Sequence, residues 1–311
     1  MITTNPVDRT PEFSLVLSTK DRTDELAAFL RSLDAQTERS FELIVSDQNE
    51  DDRLASVLAP FQQRFPIHYV RSFGGISRGR NAGLPLASGR YIAYPDDDCW
   101  YPASLLETVL RLFRKHSEWD VVSGRSVDAT MRDTQGRWLD HVETANRGNV
   151  LRMGISYTIF ARADAVAAAG PFDESLGVGA GTPWGSGEET DFLLRAIEVG
   201  KTVIYTPEIF VHHIEKVVDY SKRARDRQHA YARGLGRVLG KHKYSLIGAF
   251  HHFARPLAGS ALYIMRGRPD RSLYYLRVFA GRAAGWLSGT IDRRGGSSDA
   301  GIRSTLGEIR Q

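Results

Sequence analysis

Residues Tyr91–Tyr101 read YIAYPDDDCWY, an apolar run that stops abruptly at three adjacent carboxylates, Asp96, Asp97 and Asp98. The apolar part, Tyr91–Tyr94, has the composition of a buried strand. Three like charges at a strand's carboxyl end repel one another and cost stability unless a cation or hydrogen-bond donors offset them. A hard divalent ion, Mg2+ or Mn2+, takes oxygen ligands and commonly leaves positions open for phosphate oxygens. In an extended segment Asp96 and Asp98 point to one side and Asp97 to the other, so the first two are expected to share one ligand complex. The competing reading is an acidic turn that caps a helix beginning near Pro102.

Outward from this stretch the chain alternates between strand and helix patterns. Phe13–Thr19 predicts a strand, Asp24–Ala35 a helix, Phe41–Ser46 a strand, Arg53–Arg64 a helix, Ile67–Val70 a strand and Asn81–Ala87 a short helix. Beyond the acids, Leu105–Lys115 predicts a helix, Asp120–Ser123 a strand, and Ser156–Ala161 a strand leading into an Ala-rich helix. Such alternation with short connections indicates an α/β sheet, largely parallel at its N-terminal end, with ligands bound beyond the carboxyl ends of its strands.

Gly170–Gly187 is too rich in glycine and proline for regular structure, and a long loop inside a compact domain is usually functional. Glu188–Glu198 then predicts a helix whose first turn carries Glu188, Glu189 and Asp191; Thr202–Tyr205 and Ile209–Val211 are strand-like and lead into His212 and His213. From Tyr220 the pattern is helical only. The expected organisation is an α/β domain over 1–219, a helical region over 220–294 and a flexible tail over 295–311, where the start is rich in Gly and Ser.

The 311 residues are 42% hydrophobic and 25% charged, which excludes a disordered or fibrous chain. The net charge of +4 and a pI near 9.2 suit an anionic partner. Basic residues crowd from Lys216 onward, through Lys222, Arg223, Arg225, Arg227, Arg233, Arg237, Lys241 and Lys243; further along, Arg277, Arg282, Arg293 and Arg294 mix with Tyr274, Tyr275, Phe279 and Trp286. Helices of that composition either lie on a membrane surface or pack with a solvated basic face. The single cysteine, Cys99, allows no internal disulfide, the N-terminal residues are polar, and Leu246–Met265 is interrupted by His251, His252, Arg255 and Pro256. A cytoplasmic protein, at most peripheral on a membrane, is the expectation.

Four segments make the resemblance specific. LVLSTKDR (Leu15–Arg22), ELIVSDQNEDD (Glu42–Asp52), GISRGRNAGLPLASGRYIAYPDDD (Gly75–Asp98), and GPFDESL with WGSGEETDFLLRAIEVG (Gly170–Leu176 and Trp184–Gly200) resemble, in that order, the motifs of family 2 inverting nucleotide-sugar-dependent glycosyltransferases. The resemblance implies a GT-A fold, a mixed Rossmann-like sheet with helices on both faces, here followed by a helical extension. It implies transfer of a sugar from a nucleoside diphosphate donor to an acceptor hydroxyl with the help of Mn2+ or Mg2+, in polysaccharide or glycolipid synthesis. The expected acceptor is a saccharide, or a lipid-linked saccharide if the basic and aromatic C-terminal helices lie on a membrane, and no nucleic acid partner is expected.

Matched residues carry the expected roles. Thr19 lies in the loop that faces the nucleotide, and Asp47 occupies the position whose carboxylate contacts the base. That contact suits the N3–H of uracil or thymine and favours UDP or dTDP; a turn with Asn49 is the alternative. Asp98 is implied as the direct metal ligand, Asp96 reaches the ribose or a metal-bound water, and Asp97 joins the nucleotide-sugar site. Arg80 offers a planar donor fork for phosphate, with Arg78 or Arg90 as alternatives. The family pattern has Glu-Asp where this chain has Glu188-Glu189, and its second residue is the usual base, so Glu189 is the expected proton acceptor. Glu188 and Asp191 compete, Asp191 more naturally bracing the helix. Trp184 either stacks on a sugar or anchors the loop. Of the adjacent pair His212 and His213 one side only can face a metal, and His212 is the expected one.

Two other classes compete. A sugar-nucleotide nucleotidyltransferase normally has a Gly-rich basic loop after its first strand, where this chain has STKDR. A basic nucleic-acid-binding protein does not explain acids at 96–98 and 188–191, and a non-catalytic sugar-binding relative shares the same motifs.

Overall fold

The strand Phe13–Thr19 (β1) is buried along its whole length, as a central strand covered on both faces must be. The computed structural model describes the backbone of residues 10–214 and 220–307, and their side chains up to residue 292. Lys216, the boundary expected at 219, and the side chains of Arg293, Arg294 and the tail lie outside the described residues.

After β1 come Asp24–Asp34 (α1), Phe41–Asp47 (β2), Ala55–Leu58 (α2), Ile67–Arg71 (β3), Ile76–Gly83 (α3), Tyr91–Ala93 (β4), Cys99–Trp100 (β5), Leu105–Lys115 (α4), Val121–Val127 (β6), Glu143–Thr144 (β7), Phe160–Arg162 (β8), Ala163–Ala169 (α5), Glu188–Glu198 (α6) and Val203–His213 (β9). Lys222–Lys241 (α7), Phe250–Met265 (α8) and Pro269–Gly307 (α9) complete the described chain. The sheet runs β3-β2-β1-β4-β8-β6-β9-β5, with β7 beside β9. The β3-β2-β1-β4 half is parallel, β8 is antiparallel to both neighbours, and β9 is parallel to β6. The carboxyl ends of β1, β2, β4 and β9 therefore emerge along the same edge.

Alternation divides β1 between two helical layers. Phe13, Leu15 and Leu17 join the core with Leu26, Phe29, Leu30 and Leu33 of α1 and Leu105, Leu106, Val109 and Phe113 of α4. On the opposite face α3 lies so close that a methyl group added at Gly83 would meet Val16 and Ile44.

Several boundaries differ from expectation. The helix expected over Arg53–Arg64 is only α2 followed by a 3-10 turn at Ala59–Phe61, because Pro60 lacks the amide that an α-helical interior needs. The helix expected at Asn81–Ala87 begins earlier, at Ile76, because Gly75 takes φ of 102° and donates its amide to Gln48 Oε1 at 2.9 Å, which starts the helix there. The two strand runs flanking Pro207 are one strand, β9, accommodated by a register shift opposite Ser123 and Arg125. Helix α9 continues to Gly307, past position 295, since extending a formed helix is easier than starting one.

The chain divides into two compact units, Met1–Asp173 with Phe192–Lys216, and Glu174–Asp191 with Val217–Gln311. The second contains the glycine-rich loop, the first turn of α6 and the C-terminal helices. Within it, α7 and α9 approach through glycine: a methyl group at Gly236, Gly240, Gly285 or Gly289 would overlap a carbonyl oxygen of the facing helix. No described helix is long and apolar enough to cross a membrane.

Candidate active site

The three carboxylates after β4 do not alternate as an extended strand would. Asp97 and Asp98 form a turn, and the Cys99 amide returns toward the Asp96 carbonyl oxygen at 3.4 Å. The expectation that Asp96 and Asp98 point together while Asp97 points away is corrected accordingly: Asp97 and Asp98 share Arg22, and Asp96 turns to Arg80.

Asp97 is the buried member. It accepts hydrogen bonds from Thr19 Oγ1 at 2.7 Å and Arg22 Nη1 at 2.5 Å. Burial pushes its carboxyl up to about 6, against the lowering pull of Thr19 and Arg22, while neighbouring Asp96 adds to the rise. Asp96 lies 3.0 Å from Nη2 of Arg80 and 3.5 Å from the Ser156 hydroxyl. Arg80 is fully buried, and its guanidinium stands 5.3 Å over the Phe172 ring. Its expected phosphate fork is therefore turned inward to Asp96. Helix α3 presents it there because Gly79 fits beneath the Ser18 side chain, where a Cβ would clash.

Asp98 meets Arg22 Nη1 at 2.8 Å through one oxygen and His213 Nε2 at 3.2 Å through the other. His213 arrives by register: β5 pairs antiparallel with β9, placing Cys99 opposite His213 and Trp100 opposite His212. His212 instead stacks on Trp100 with centroids 5.1 Å apart, and its Nδ1 lies 3.1 Å from the Asp128 carbonyl oxygen. Of the two histidines it is His213, not the expected His212, that lies on the Asp98 side of the strand.

His213 Nδ1 lies 2.7 Å from the Ile214 carbonyl oxygen and 3.3 Å from Gln135 Nε2, and its Nε2 faces the Asp98 carboxylate at 3.2 Å. Adjacent ligands of an octahedral ion with bonds of about 2.1 Å lie about 3.0 Å apart, close to this separation. The donor set fits a divalent ion with two protein ligands. Among the described residues no group of three or more His, Cys, Asp or Glu side chains is assembled for a metal; Asp96 is turned to Arg80 and His212 to Trp100.

At the end of β2, Asp47 is buried with both oxygens engaged. Asn49 donates its amide and side-chain nitrogen to Oδ1 at 2.8 and 2.7 Å, and the Tyr69 hydroxyl donates to Oδ2 at 2.5 Å. The turn with Asn49 is the geometry formed here, and Tyr69, an exposed ring on β3, is tethered by it.

In the second unit, the glycine-rich loop is fastened to α7. The Gly185 amide donates to the Ala230 carbonyl at 3.1 Å, Ser186 Oγ to the Tyr231 carbonyl at 2.8 Å, and Trp184 packs against Arg233 and Arg237, whose guanidinium carbons are 5.1 and 5.4 Å from its ring. Trp184 acts as the loop's anchor, the less specific of its two expected roles. Gly187 takes φ of 97°, turning the chain into α6. There Asp191 is completely buried, its Oδ1 2.8 Å from both Lys241 Nζ and His242 Nε2. It braces the helix, while Glu188 is buried and Glu189 half-exposed.

Several participants escaped sequence reasoning. Arg22 lies within the quoted STKDR segment, yet nothing local marks it as the partner of two carboxylates 75 residues away. The alternation Ile209, Val211, His213 is the signal that selects the buried histidine, obscured by the apolar Phe210 between them. Lys241 and His242 carry no signal, since their partner Asp191 is remote in sequence.

A mixed sheet with an acidic turn at the carboxyl end of a central strand is the GT-A architecture of sugar-transferring enzymes. S. aureus TarS 1-349 in complex with UDP-GlcNAc shares this fold with a TM-score of 0.55 and 16% identity over 92% of either chain. The mannosyltransferase PcManGT from Pyrobaculum calidifontis, in complex with GDP-Man and Mn2+, does so with a TM-score of 0.59 and 13% identity over 88% of either chain. Residues 14–166 match the model of Glycosyl transferase family 2. A PGL/p-HBAD biosynthesis glycosyltransferase of Mycobacterium tuberculosis is 32% identical over 133 residues, 41% of this chain and 50% of the relative, so the chain spans about half the length of such relatives.

Proposed function

We propose that this protein is a metal-dependent inverting glycosyltransferase that moves a sugar from a nucleoside diphosphate donor to a hydroxyl of a saccharide or lipid-linked saccharide. The observation that carries the reading is the facing pair Asp98 and His213 at the end of β4 and β9, in a chain whose residues 14–166 match the family 2 model. Asp98 and His213 would hold Mn2+ or Mg2+, which when bound neutralises charge on the departing diphosphate. Asp97 and Asp96 are held ready by Thr19, Arg22 and Arg80, so the acidic turn keeps its shape without donor.

Transfer balances simply. The acceptor oxygen forms a bond to the anomeric carbon from the face opposite the leaving group, the anomeric C–O bond to phosphate breaks, and the nucleoside diphosphate leaves with the electron pair. The acceptor's proton passes to a carboxylate, which we assign to Glu189. Glu189 is half-exposed whereas Glu188 and Asp191 are buried, and Asp191 is committed to Lys241 and His242. For the base, a uracil or thymine N3–H that reaches Asp47 has to displace the Tyr69 hydroxyl, so UDP and dTDP sugars are the first donors to test, with GDP sugars as the control.

The test is a thermal-shift screen of nucleotide sugars with and without Mn2+, followed by turnover of the best binder. Stabilisation by one nucleotide sugar in Mn2+ and release of its nucleoside diphosphate in the presence of an acceptor are the expected results. Absence of any metal-dependent donor binding would remove the proposal.

A further inference from the structure

Helix α8 is turned inside out. A helix on a water-soluble surface buries its apolar stripe and shows polar residues outside. Here the outward stripe is Phe250, Leu257 and Ile264, each seven residues from the next and so on one face, exposed by 67%, 42% and 65%. Ile247 before the helix and Met265 at its end are exposed by 89% and 78%. The residues that α8 buries are Pro256 and Ser260, the latter hydrogen-bonded to Ser272 at 2.8 Å. Gly259 lies against the Tyr275 ring, and Phe253 is an aromatic that does turn inward, edge-on to Phe279 and Trp286. An exposed apolar stripe of this length on a folded unit marks a surface that is covered in use.

The charge around the stripe says by what. Arg255, Arg266 and Arg268 are exposed along it, Arg268 3.8 Å from Asp270, and no aspartate or glutamate occurs from 241 to 269. A second copy of the chain, meeting this face through two-fold symmetry, would bring like charges together. An apolar stripe in a predominantly cationic surround suits the boundary between acyl chains and anionic headgroups. Tyr274 and Phe279 of α9, expected from composition to form such a face, are part-buried among the aromatic contacts of the helices; α9 exposes Leu273, Leu276, Leu287 and Ile291 instead, and α8 carries the more exposed stripe.

We infer that the α8 face, through Ile247, Phe250, Leu257, Ile264 and Met265 with its flanking arginines, seats this protein on an anionic lipid surface. The inference stands on the helical unit alone and is independent of donor transfer.

The experiment is co-sedimentation of the full chain with vesicles of phosphatidylglycerol and phosphatidylcholine in equal parts, or of phosphatidylcholine alone. The chain should sediment with the anionic vesicles, and the triple substitution Phe250→Glu, Leu257→Glu and Ile264→Glu should lower the bound fraction at least about ten-fold. Arg255→Gln with Arg266→Gln and Arg268→Gln leaves the apolar stripe intact and should abolish the preference for anionic over neutral vesicles, which keeps the inference open to test should the glutamate variant misfold. No sedimentation of the unaltered chain with anionic vesicles, or sedimentation of both variants equal to that of the unaltered chain, overturns it. So does light scattering that finds a dimer which the triple substitution dissociates, because the face is then a subunit contact.

Discussion

The sheet unit and the helical unit are assembled by opposite rules. In the sheet unit large apolar side chains fill the interior, and the charged residues of the acidic turn all face partners: Asp97 meets Thr19 and Arg22, Asp96 meets Arg80, and Asp98 meets Arg22 and His213. In the helical unit α7 and α9 meet backbone to backbone through glycines, while α8 leaves its apolar residues outside. Close glycine contact gives the helices a narrow seam with little apolar side chain in it, so much of their greasy surface stays available. The difference teaches that one unit buries its apolar side chains around a polar strand edge, while the other packs helix backbones closely and leaves apolar side chains exposed.

The contrast can be broken by substitution. Under the assignment of Glu189 as proton acceptor, Glu189→Gln should leave donor affinity unchanged and lower transfer by about 1,000-fold or more, measured as kcat with saturating donor. Asp98→Asn should lower kcat/KM by about 100-fold to 1,000-fold, chiefly through loss of metal-dependent donor binding. If the two variants behave alike, their separate roles are wrong. Asp191→Ala leaves Lys241 and His242 facing a buried gap and should cost about 3–5 kcal/mol in chemical denaturation. Gly285→Ala drives a methyl group onto the Arg233 carbonyl and should cost about 1–3 kcal/mol, seen as a lowered melting temperature; no loss would mean the α7–α9 seam is looser than described.

What could be read from the chain follows the same division. The strand and helix order through β4 was legible because parallel strands carry continuous apolar runs such as LVL at Leu15–Leu17 and LIV at Leu43–Val45. The acidic turn announced itself through composition, but not its internal pairing, because the turn at Asp97 and Asp98 replaced the extended geometry on which the alternation rests. His213 was hidden by its neighbour, and Arg22 by distance along the chain. The inverted α8 was illegible in principle: periodicity locates an apolar face without saying whether protein or something else covers it. Asp191 was marked as a brace, yet the lysine and histidine it braces against are known only from the fold.

The central claim is that Asp98 and His213 hold a cation on which donor binding depends. Calorimetric titration of UDP into the full chain, in Mn2+ and in EDTA, tests it most directly. The expected result is clear binding in Mn2+ that weakens at least about ten-fold in EDTA, in Asp98→Asn and in His213→Gln, while His212→Gln keeps it. UDP affinity that is the same in EDTA as in Mn2+, or that falls with His212→Gln and not with His213→Gln, contradicts it.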